Sequence, residues 1–585
     1  MCGIFGFASF KKQPSKIVLE GLKRLEYRGY DSWGIAVENN EKILCDRHTG
    51  KIGQAKTNLP SSQIGLGHTR WATHGGVTKA NSHPQLDCRK KIAVVHNGII
   101  ENYDTLKKKL KDHTFVSQTD TEVVPHLIEK YLSKYSFSES IRKSFQLLQG
   151  LNAIIAIDIK QNKLFAAKTG SPLILGFGKG QNFIASDAAC LLAHTDLVYY
   201  LEDGQMAEIS ASQIIVRNIK TNKKLIVKKH KLSWKFKETK KGKYDHFMIK
   251  EIMDQPQVIR SILINNSAQL KKLSAVIKRS LGTSMVACGT GAYAALSGTY
   301  IFSKIAKKHI NYMVGSEFGY TTDFLNKKSL VIALSQSGET IDIIESVKKA
   351  KEKGAKIVAL VNVLGSTLYR LADYKILLNA GPEKAVASTK AFTAKLANLI
   401  LLSYCFNPNP KKGKVLLNQA IKETQRLLKP KSLADFKKLA SKIFKQNHLY
   451  VIGRGLSYPI ALETALKIKE VSYIHAEGFA AGELKHGTIA LIQKNTPCIA
   501  FLPNDETYGA TLAGAMEIKS RGGYIIGISH KPHEIIDYFI KVKDCKVATA
   551  IPNVVTAQLL AYFLSVKKGI DPDKPRNLAK SVTVK

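Results

Sequence analysis

The chain has 585 residues, of which 44% are hydrophobic and 23% are charged. This composition supplies several globular cores and excludes both a disordered chain and a protein with a single core. The formal net charge is +42, but the basic excess is spread along nearly the whole sequence and aromatic residues do not interleave with it. We therefore expect a solvated basic surface, and a nucleic-acid-binding protein is kept only as an alternative.

The eight cysteines form no CxxC pair and show no spacing typical of metal ligands. We expect reduced thiols, no metal site, no cofactor and a reducing, cytoplasmic location. The apolar N-terminal stretch has no basic segment before it, so we do not expect a signal peptide. No uninterrupted apolar run reaches the roughly twenty residues of a membrane span, and we expect no membrane association.

The first 125 residues are dense in motifs that place small or glycine residues beside a charged or hydrogen-bonding group. These motifs are CGIFGF, LEYRGYDSWG, GHTRWATHGG, HNGIIENY and QTDTEVV. Arg70 can bind a carboxylate through two hydrogen bonds, and Asp120 can pair with an ammonium group. Together they would hold both ends of a free amino acid. The backbone at Asn97 and Gly98 is a candidate oxyanion hole.

Cys2 directly follows the initiator Met1. Methionine is normally removed before a residue this small, which would expose an α-amine with a pKa of about 7.7–8.0. That amine can act as the general base for the neighbouring thiol. An ordinary buried cysteine is the alternative, but the nearby carboxylate-binding and oxyanion candidates favour a nucleophile.

A basic segment, KKHKLSWKFKETKKGK (228–243), follows the β-rich N-terminal region. After it, strand-like runs alternate with amphipathic helices, a pattern that predicts α/β architecture with parallel sheets. Two stretches repeat in this region: 285–302 resembles 450–467, and 330–360 resembles 497–528. We therefore predict two duplicated α/β domains with right-handed crossovers.

The two copies differ after the second strand-like run. The first reads SQSGET, in which Gly338 lets the backbone approach a ligand and hydroxyls join the N–H groups of a helix start. The second reads LPNDET, where Asp505 would repel phosphate. A simple helix cap is the alternative for SQSGET. Because VASTKAFT (386–393) adds hydroxyls and Lys390 at another helix start, we expect a phosphate site in the first copy only.

Glu463, Lys467 and Glu470 have the spacing i, i+4, i+7 and share one face of a predicted helix. A solvent-exposed row of ion pairs is the alternative, but the apolar neighbours predict a largely buried helix. His486 follows in a glycine-bounded loop with Lys485, and carboxylate, ammonium and imidazole together can move protons on a carbonyl compound.

The chain ends in the polar tail DPDKPRNLAKSVTVK, which would ordinarily be frayed. The alternative is that the tail folds over a site. Desolvation there would lower the pKa of Lys580 toward amine chemistry.

Over essentially its full length the sequence resembles the glutamine–fructose-6-phosphate aminotransferases. The resemblance is carried by the motifs quoted above, together with AAGELKHG and PRNLAKSVTV. Other amidotransferases with an N-terminal nucleophile share CGIFG-like starts but lack paired sugar-isomerase domains. The resemblance implies that glutamine is hydrolysed, that ammonia travels internally to fructose 6-phosphate, and that the product is isomerised to glucosamine 6-phosphate.

The resemblance also implies an N-terminal-nucleophile amidotransferase domain with an αββα sandwich, followed by two three-layer αβα sugar-isomerase domains with parallel sheets. A homodimer through the isomerase domains is implied as well. The corresponding segments are 1–225 for the glutaminase domain, 226–244 for a linker, 245–425 for the phosphate-binding isomerase domain, 426–570 for the second isomerase domain and 571–585 for a tail over the sugar site.

For the glutaminase site, the resemblance implies that Cys2 attacks the side-chain amide of glutamine. Asn97 and Gly98 would stabilise the oxyanion. Trp71 would also gate the ammonia channel. The residues of the glutamine pocket would be Arg70, Trp71, Thr73, His74, Gly98 and Asp120.

For the sugar site, the resemblance implies that Glu470 moves a proton between C1 and C2. His486, supplied by the neighbouring subunit, would open the sugar ring. Lys580 would form a Schiff base with the open-chain ketose, and Lys467 would assist near O5 or C1. The phosphate and sugar binders would be Thr290, Ser335, Gln336, Ser337, Thr340, Val386 and Ser388.

Three positions depart from the family pattern. Gly291 stands where serine is usual, Trp33 where a small residue is usual, and Thr488 where proline is usual. We expect the chemistry to survive, with effects on sugar affinity and on packing beneath the glutaminase site. Gly291 leaves open an amidotransferase for a different phosphosugar. A sugar-phosphate-binding regulator without catalysis is a further alternative, against which the retained catalytic residues argue.

Overall fold

The structure is a computed structural model that describes residues 2–232 and 241–582. The chain divides into two compact units, which are Met1–Lys240 with Ala579–Lys585, and Lys241–Leu578. The division lies within the predicted linker, whose residues 233–240 are outside the described residues.

The first unit contains two antiparallel sheets. Its strands are β1 Gly3–Gln13, β2 Ser32–Asn39, β3 Lys42–Thr49, β4 Ser62–Arg70, β5 Gln85–Leu86, β6 Ile92–Asn97, β7 Ala153–Asp158, β8 Leu164–Lys168, β9 Ile174–Phe177, β10 Gln181–Ala185, β11 Leu197–Tyr200, β12 Gln205–Ile209, β13 Ile214–Asn218 and β14 His230–Lys231. The eight-stranded sheet has the order β14-β11-β9-β10-β1-β4-β2-β3, and the six-stranded sheet has the order β13-β12-β8-β7-β6-β5.

Side-chain alternation along β1 explains the layers of this unit. Ile4 and Ala8 belong to the core between the two sheets, whereas Phe5 and Phe7 belong to the core beneath the helices. Another apolar core lies between the six-stranded sheet and its own helices. The helices are α1 Lys16–Leu25, α2 Tyr103–Lys108, α3 Val123–Leu132, α4 Phe137–Gln146 and α5 Ala188–Leu191. The predicted αββα sandwich is confirmed.

The second unit contains two parallel sheets of five strands. Its strands are β15 Gly282–Ala287, β16 Asn311–Val314, β17 Ser329–Ser335, β18 Lys356–Val361, β19 Tyr374–Leu377, β20 His448–Gly453, β21 His475–Ala480, β22 Pro497–Leu502, β23 Tyr524–Ser529 and β24 Tyr538–Lys541. The strand orders are β16-β15-β17-β18-β19 and β21-β20-β22-β23-β24. Both sheets therefore have the same topology, as expected from the sequence repeat.

Helices cover both sheets of the second unit, and one apolar core contains side chains from both copies. The helices are α6 Phe247–Met253, α7 Gln255–Asn265, α8 Ser267–Arg279, α9 Thr290–Ile301, α10 Gly315–Phe318, α11 Ile341–Glu352, α12 Thr367–Leu371, α13 Lys390–Tyr404, α14 Lys411–Leu427, α15 Pro430–Ile443, α16 Ser457–Ser472, α17 Tyr508–Ser520 and α18 Ala550–Lys567. The predicted parallel α/β architecture is confirmed.

One helical stretch, Lys546–Lys567, is long and apolar enough to cross a membrane. The stretch is interrupted by polar residues, so it is not the uninterrupted apolar run that the sequence analysis looked for. In the structure 94% of its most apolar window is buried inside the protein, so the apolar character is used in the core.

Candidate active site

Cys2 precedes β1 and contacts the residue that follows β4. The N–H of Trp71 donates to Cys2 Sγ at 3.2 Å, which places a positive dipole end against the sulfur. The carbonyl of Cys2 accepts hydrogen bonds from Arg28 Nε and Asn97 Nδ2, both at 3.2 Å. The structure therefore brings the predicted nucleophile and Asn97 together.

His68 orients the side chain of Asn97. His68 Nε2 lies 3.2 Å from Asn97 Oδ1 and 2.9 Å from the carbonyl of His96. Both partners are acceptors, so Nε2 carries the proton. Burial lowers the pKa of His68 to about 3, which keeps the ring neutral. Asn97 Oδ1 is therefore an acceptor, and its amide nitrogen is turned toward Cys2.

The backbone conformation at position 98 can be adopted only by glycine. Its φ is +138°, and a Cβ atom there would lie 2.3 Å from the carbonyl oxygen of Leu151. Two residues later, the N–H of Ile100 donates to Asp120 Oδ2 at 2.8 Å. The predicted oxyanion residues, Asn97 and Gly98, are thus linked through Ile100 to Asp120, the predicted partner of the ammonium group.

The guanidinium of Arg70 is buried and holds the loop that follows it. Nη1 donates to the carbonyl of Gly76 at 3.1 Å, and Nη2 donates to Gly75 at 3.1 Å and to His74. Burial lowers the pKa of Arg70, and the negative charges of Cys2 and Asp120 oppose that shift. The side chain thus positions the loop, while its binding of a carboxylate stays a prediction.

The other predicted pocket residues lie in or beside this loop. The ring of Trp71 contacts Tyr30 edge to face, with ring centres 5.6 Å apart. His74 makes a similar contact with Tyr103 at 4.9 Å. Thr73 is exposed, whereas Trp71 and His74 are half-buried. These positions are compatible with the rim of a pocket.

In the second unit, the SQSGET loop joins β17 to α11 and winds around the hydroxyl of Ser335. That oxygen accepts the N–H of Gly338 at 3.0 Å and lies 3.1 Å from Thr340 Oγ1. Ser337 Oγ accepts the N–H of Glu339 at 3.1 Å. Gly338 has a φ of +67°, and a Cβ atom there would lie 2.0 Å from Ser366 Oγ. This tight turn precedes the helix, as the phosphate-site prediction requires.

The VASTKAFT loop is organised by the carboxylate of Glu383. This carboxylate accepts the hydroxyl of Ser388 at 3.0 Å and the N–H groups of Thr389 and Ala391. Lys390, which the sequence suggested as a further phosphate group, is buried with its Nζ 3.4 Å from Asp254 Oδ2. Its charge is therefore already paired within the unit.

The carboxylate–lysine–carboxylate row on α16 is buried, as predicted. Glu463 and Lys467 are 0% exposed, whereas the Glu470 side chain is 20% exposed. Lys467 Nζ lies 3.6 Å from Glu463 Oε1 and contacts Glu470 directly. Thr290, at the start of α9, donates to Glu463 Oε1 at 3.2 Å. The row therefore meets a predicted sugar-binding residue from the other copy.

Burial sets the protonation of this row. It raises the pKa of Glu463 to about 8, so this carboxyl is largely protonated at neutral pH. Burial also acts to lower the pKa of Lys467, but attraction to Glu463 and Glu470 outweighs it and raises the pKa overall. Lys467 is therefore an ammonium that stays next to Glu470.

His486 lies in the second unit, as the row does, but the two are not joined among the described residues. His486 is exposed in a 3₁₀ turn, Glu483–His486, and among the described residues no hydrogen bond or ion pair joins it to Glu470. Lys485 pairs with Glu517 at 2.9 Å. Lys580 belongs to the segment Ala579–Lys585, which clusters with the first unit, so its role at the sugar site stays a prediction.

Comparison with known proteins identifies the families to which the two units are similar. The glutamine amidotransferase domain family matches residues 68–193, and the SIS domain family matches 284–403 and 442–567. Glutamine–fructose-6-phosphate aminotransferases [isomerizing] from Pyrococcus horikoshii and from Caldanaerobacter subterraneus subsp. tengcongensis are 40% and 41% identical, with each chain covered to 100%. The chain belongs to this aminotransferase family.

A solved structure supports the assignment of the second unit in this aminotransferase family member. The C-terminal domain of glucosamine-fructose-6-phosphate aminotransferase from Francisella tularensis is 33% identical, with a TM-score of 0.52. The similarity covers 57% of this chain and 99% of that domain. Tagatose-6-phosphate ketose/aldose isomerase from Escherichia coli, at 19% identity and a TM-score of 0.50, shares the fold alone.

Some positioning residues of this aminotransferase family member were missed by the sequence analysis. His68 and Arg28, which fix Asn97 and the Cys2 carbonyl, lie inside the quoted motifs GHTRWATHGG and LEYRGYDSWG. Glu383, which organises the VASTKAFT loop, had no signal because it precedes the motif. At two of the departures from the family pattern, Trp33 stacks on His48 at 4.5 Å, and a Cβ at Gly291 would lie 3.2 Å from Ala287 Cβ.

Proposed function

We propose that this chain hydrolyses glutamine at Cys2, transfers the ammonia internally to fructose 6-phosphate, and isomerises the product to glucosamine 6-phosphate. The observation that carries the proposal is that one chain contains both a candidate glutaminase site and a candidate sugar site. One is the Cys2 thiol beside the Trp71 N–H and Asn97, and the other is the buried row on α16. The full-length similarity to the named aminotransferases supports the same pairing of activities.

At the first site, removal of Met1, which is outside the described residues, frees the Cys2 α-amine to accept the thiol proton. The thiolate attacks the amide carbon of glutamine, and the negative oxygen forms next to Asn97 and Gly98. Ammonia leaves, and water hydrolyses the thioester to glutamate. Arg70 and Asp120 bind the carboxylate and ammonium ends of glutamine, with Trp71, Thr73 and His74 forming the rim.

At the second site, the SQSGET loop binds the phosphate through hydroxyls and N–H groups at the start of α11. Gln336, Val386 and Ser388 complete the sugar-phosphate contacts. Lys580 forms a Schiff base with the open-chain ketose, and ammonia displaces it. Glu470 then removes a proton from C1 and returns it to C2, while the O1 proton is transferred to the nitrogen, which converts the imine of the ketose to the amino aldose.

The ammonium of Lys467 contacts the carboxylate of Glu470 and holds it in place for this proton transfer. His486 opens the sugar ring from a second copy of the chain in a homodimer. Its exposure in the single chain supports this role. The family context supports a cytoplasmic location, where the eight free thiols would stay reduced.

Quantifying both products with several ketose phosphates tests the proposal. We expect glutamate and glucosamine 6-phosphate in equal amounts, and a kcat/KM for fructose 6-phosphate about tenfold or more above other ketose phosphates, which is about 1.4 kcal/mol of discrimination. Preference for another ketose would instead support the alternative that Gly291 leaves open. Glutamate without any amino sugar would contradict the proposal.

A further inference from the structure

A group of metal-binding side chains lies in the first unit, among residues that the proposed chemistry does not use. Cys88, His113, His126 and Glu129 each offer one ligand atom, and these atoms all lie within 4.8 Å of one another. The sequence analysis predicted no metal site, because the four residues come from three separate segments. Cys88 follows β5, His113 follows α2, and the other two lie on α3.

The distances within this cluster match those around a tetrahedral metal ion. Cys88 Sγ lies 3.6 Å from His113 Nδ1 and 3.5 Å from His126 Nδ1. Glu129 Oε2 lies 3.0 Å from His113 Nδ1 and 3.6 Å from His126 Nδ1. Tetrahedral Zn²⁺, with its usual bond lengths, separates sulfur from nitrogen by about 3.5 Å and nitrogen from oxygen by about 3.4 Å.

The surroundings of the cluster hold the ligands in orientation. His126 is 1% exposed, and its Nε2 makes no hydrogen bond but faces the carboxylate of Glu122 at 3.7 Å. A carboxylate behind the distal nitrogen is the usual second partner of a zinc-bound histidine. On the other side, the N–H of Thr114 donates to Cys88 Sγ at 3.4 Å.

We propose that Cys88, His113, His126 and Glu129 form a structural Zn²⁺ site. One thiolate, two neutral imidazoles and one carboxylate are ligands that Zn²⁺ accepts in tetrahedral sites, whereas Mg²⁺ and Ca²⁺ prefer oxygen ligands alone. Four protein ligands leave no open position, so the ion stabilises the fold and takes no part in catalysis.

A dication bound by these four side chains would tie the loop after β5 to α3. Glu122, next to His126, extends the connection by accepting the N–H groups of Val116 and Ser117 at 2.8 and 2.7 Å.

Metal content of the untagged, full-length protein tests the site. After dialysis against metal-free buffer, we expect about one zinc per chain by elemental analysis of the wild-type protein. Cys88→Ser and His113→Gln are expected to reduce that content at least fivefold. Cys45→Ser, a half-buried thiol of the same unit, and His230→Gln, an exposed imidazole, are the matched controls and should retain it.

Cobalt binding by the wild-type protein gives a test that does not depend on the variants folding. After removal of zinc by a chelator, Co²⁺ should bind at one equivalent with a thiolate-to-cobalt charge-transfer band and intense tetrahedral ligand-field bands, and Zn²⁺ should displace it. Zinc should also raise the thermal midpoint of the chelator-treated wild type and Cys45→Ser, but not of Cys88→Ser. Wild-type protein that binds no more zinc or cobalt than Cys88→Ser would overturn the proposal and leave a hydrogen-bonded cluster without metal.

Discussion

Gly98 shows how strongly a single backbone position constrains the glutaminase site. Its φ of +138° and the 2.3 Å approach of the Leu151 carbonyl leave no room for a side chain. A substitution here must move the peptide on which the proposed oxyanion interaction depends. Backbone conformation, and not side-chain chemistry, therefore determines the residue at this position.

Gly98→Ala is expected to lower kcat/KM for glutamine hydrolysis by about a hundredfold or more, the usual cost of losing an oxyanion donor. Strain of this kind costs about 1–3 kcal/mol, so the unit is also destabilised. Gly509→Ala is the control, because a Cβ there meets nothing within 4 Å. Unchanged glutamine hydrolysis in Gly98→Ala would exclude this peptide from oxyanion binding.

The raised pKa of Glu463 predicts that the free energy of unfolding depends on pH. In the unfolded chain its carboxyl loses a proton near the ordinary pKa of 4.5, whereas in the folded chain it keeps the proton up to about pH 8. Between these values the folded state binds more protons, so the free energy of unfolding falls as pH rises. Glu463→Gln keeps a neutral side chain and avoids that fall.

The thermal midpoint of Glu463→Gln minus that of the wild type should therefore increase between about pH 5 and about pH 8. Glu483→Gln, an exposed glutamate of the same unit, should show a constant difference over this range. A constant difference for Glu463→Gln as well would mean that Glu463 is ionised in the folded protein.

Residue types and short motifs were enough to predict Cys2, Asn97 and Gly98 as neighbours. They were not enough to predict how Arg70 is used. A guanidinium before a glycine-containing loop can bind a ligand or the loop itself, and only the structure shows three loop carbonyls as its partners. Similarly, the sequence suggested Lys390 as a phosphate ligand. Its ion-pair partner, Asp254, is distant in sequence and was recognised only in the structure.

At the scale of elements, the loops after β17 and β22 hold equivalent places in the two copies but differ in charge. In the first, Ser335 and Ser337 accept backbone N–H groups within a tight turn. In the second, Asp505 Oδ1 accepts the N–H and hydroxyl of Thr507 at 2.9 and 2.6 Å. A carboxylate beside a helix start competes with a bound phosphate.

Ser337→Asp should therefore raise the KM for fructose 6-phosphate more than tenfold, because it adds a negative charge where the phosphate is proposed to bind. Glutamine hydrolysis should be unaffected. Asp505→Asn, which keeps an acceptor for Thr507, should leave the sugar KM unchanged and is the matched control. An equal rise in both variants, or in neither, would place the phosphate elsewhere.

The strands and their duplication could be predicted from the sequence because apolar runs and glycine turns recur at a nearly constant offset. The metal cluster could not be predicted in this way. His126 and Glu129 are three residues apart on α3, but Cys88 and His113 come from loops whose positions depend on the fold of the whole unit. Spacing rules find ligands only when one short segment contributes several of them.

At the scale of the whole molecule, the two copies supply different parts of the proposed sugar site. Helices α9 and α16 follow the equivalent first strands of the two copies and meet through the hydrogen bond from Thr290 to Glu463. The first copy keeps the hydroxyl-rich loop, and the second contributes the buried row on α16. The proposed sugar site therefore draws on both copies, and one apolar core contains side chains from each.

The central claim is that one chain couples glutamine hydrolysis at Cys2 to amino-sugar formation in its second unit. Cys2→Ala, assayed with fructose 6-phosphate and either glutamine or ammonium chloride, tests it most directly. We expect glutamine-dependent glucosamine 6-phosphate formation to fall by about a thousandfold or more, while isomerisation of the sugar phosphate persists. Glutamine-dependent formation at the wild-type rate in Cys2→Ala would contradict the account.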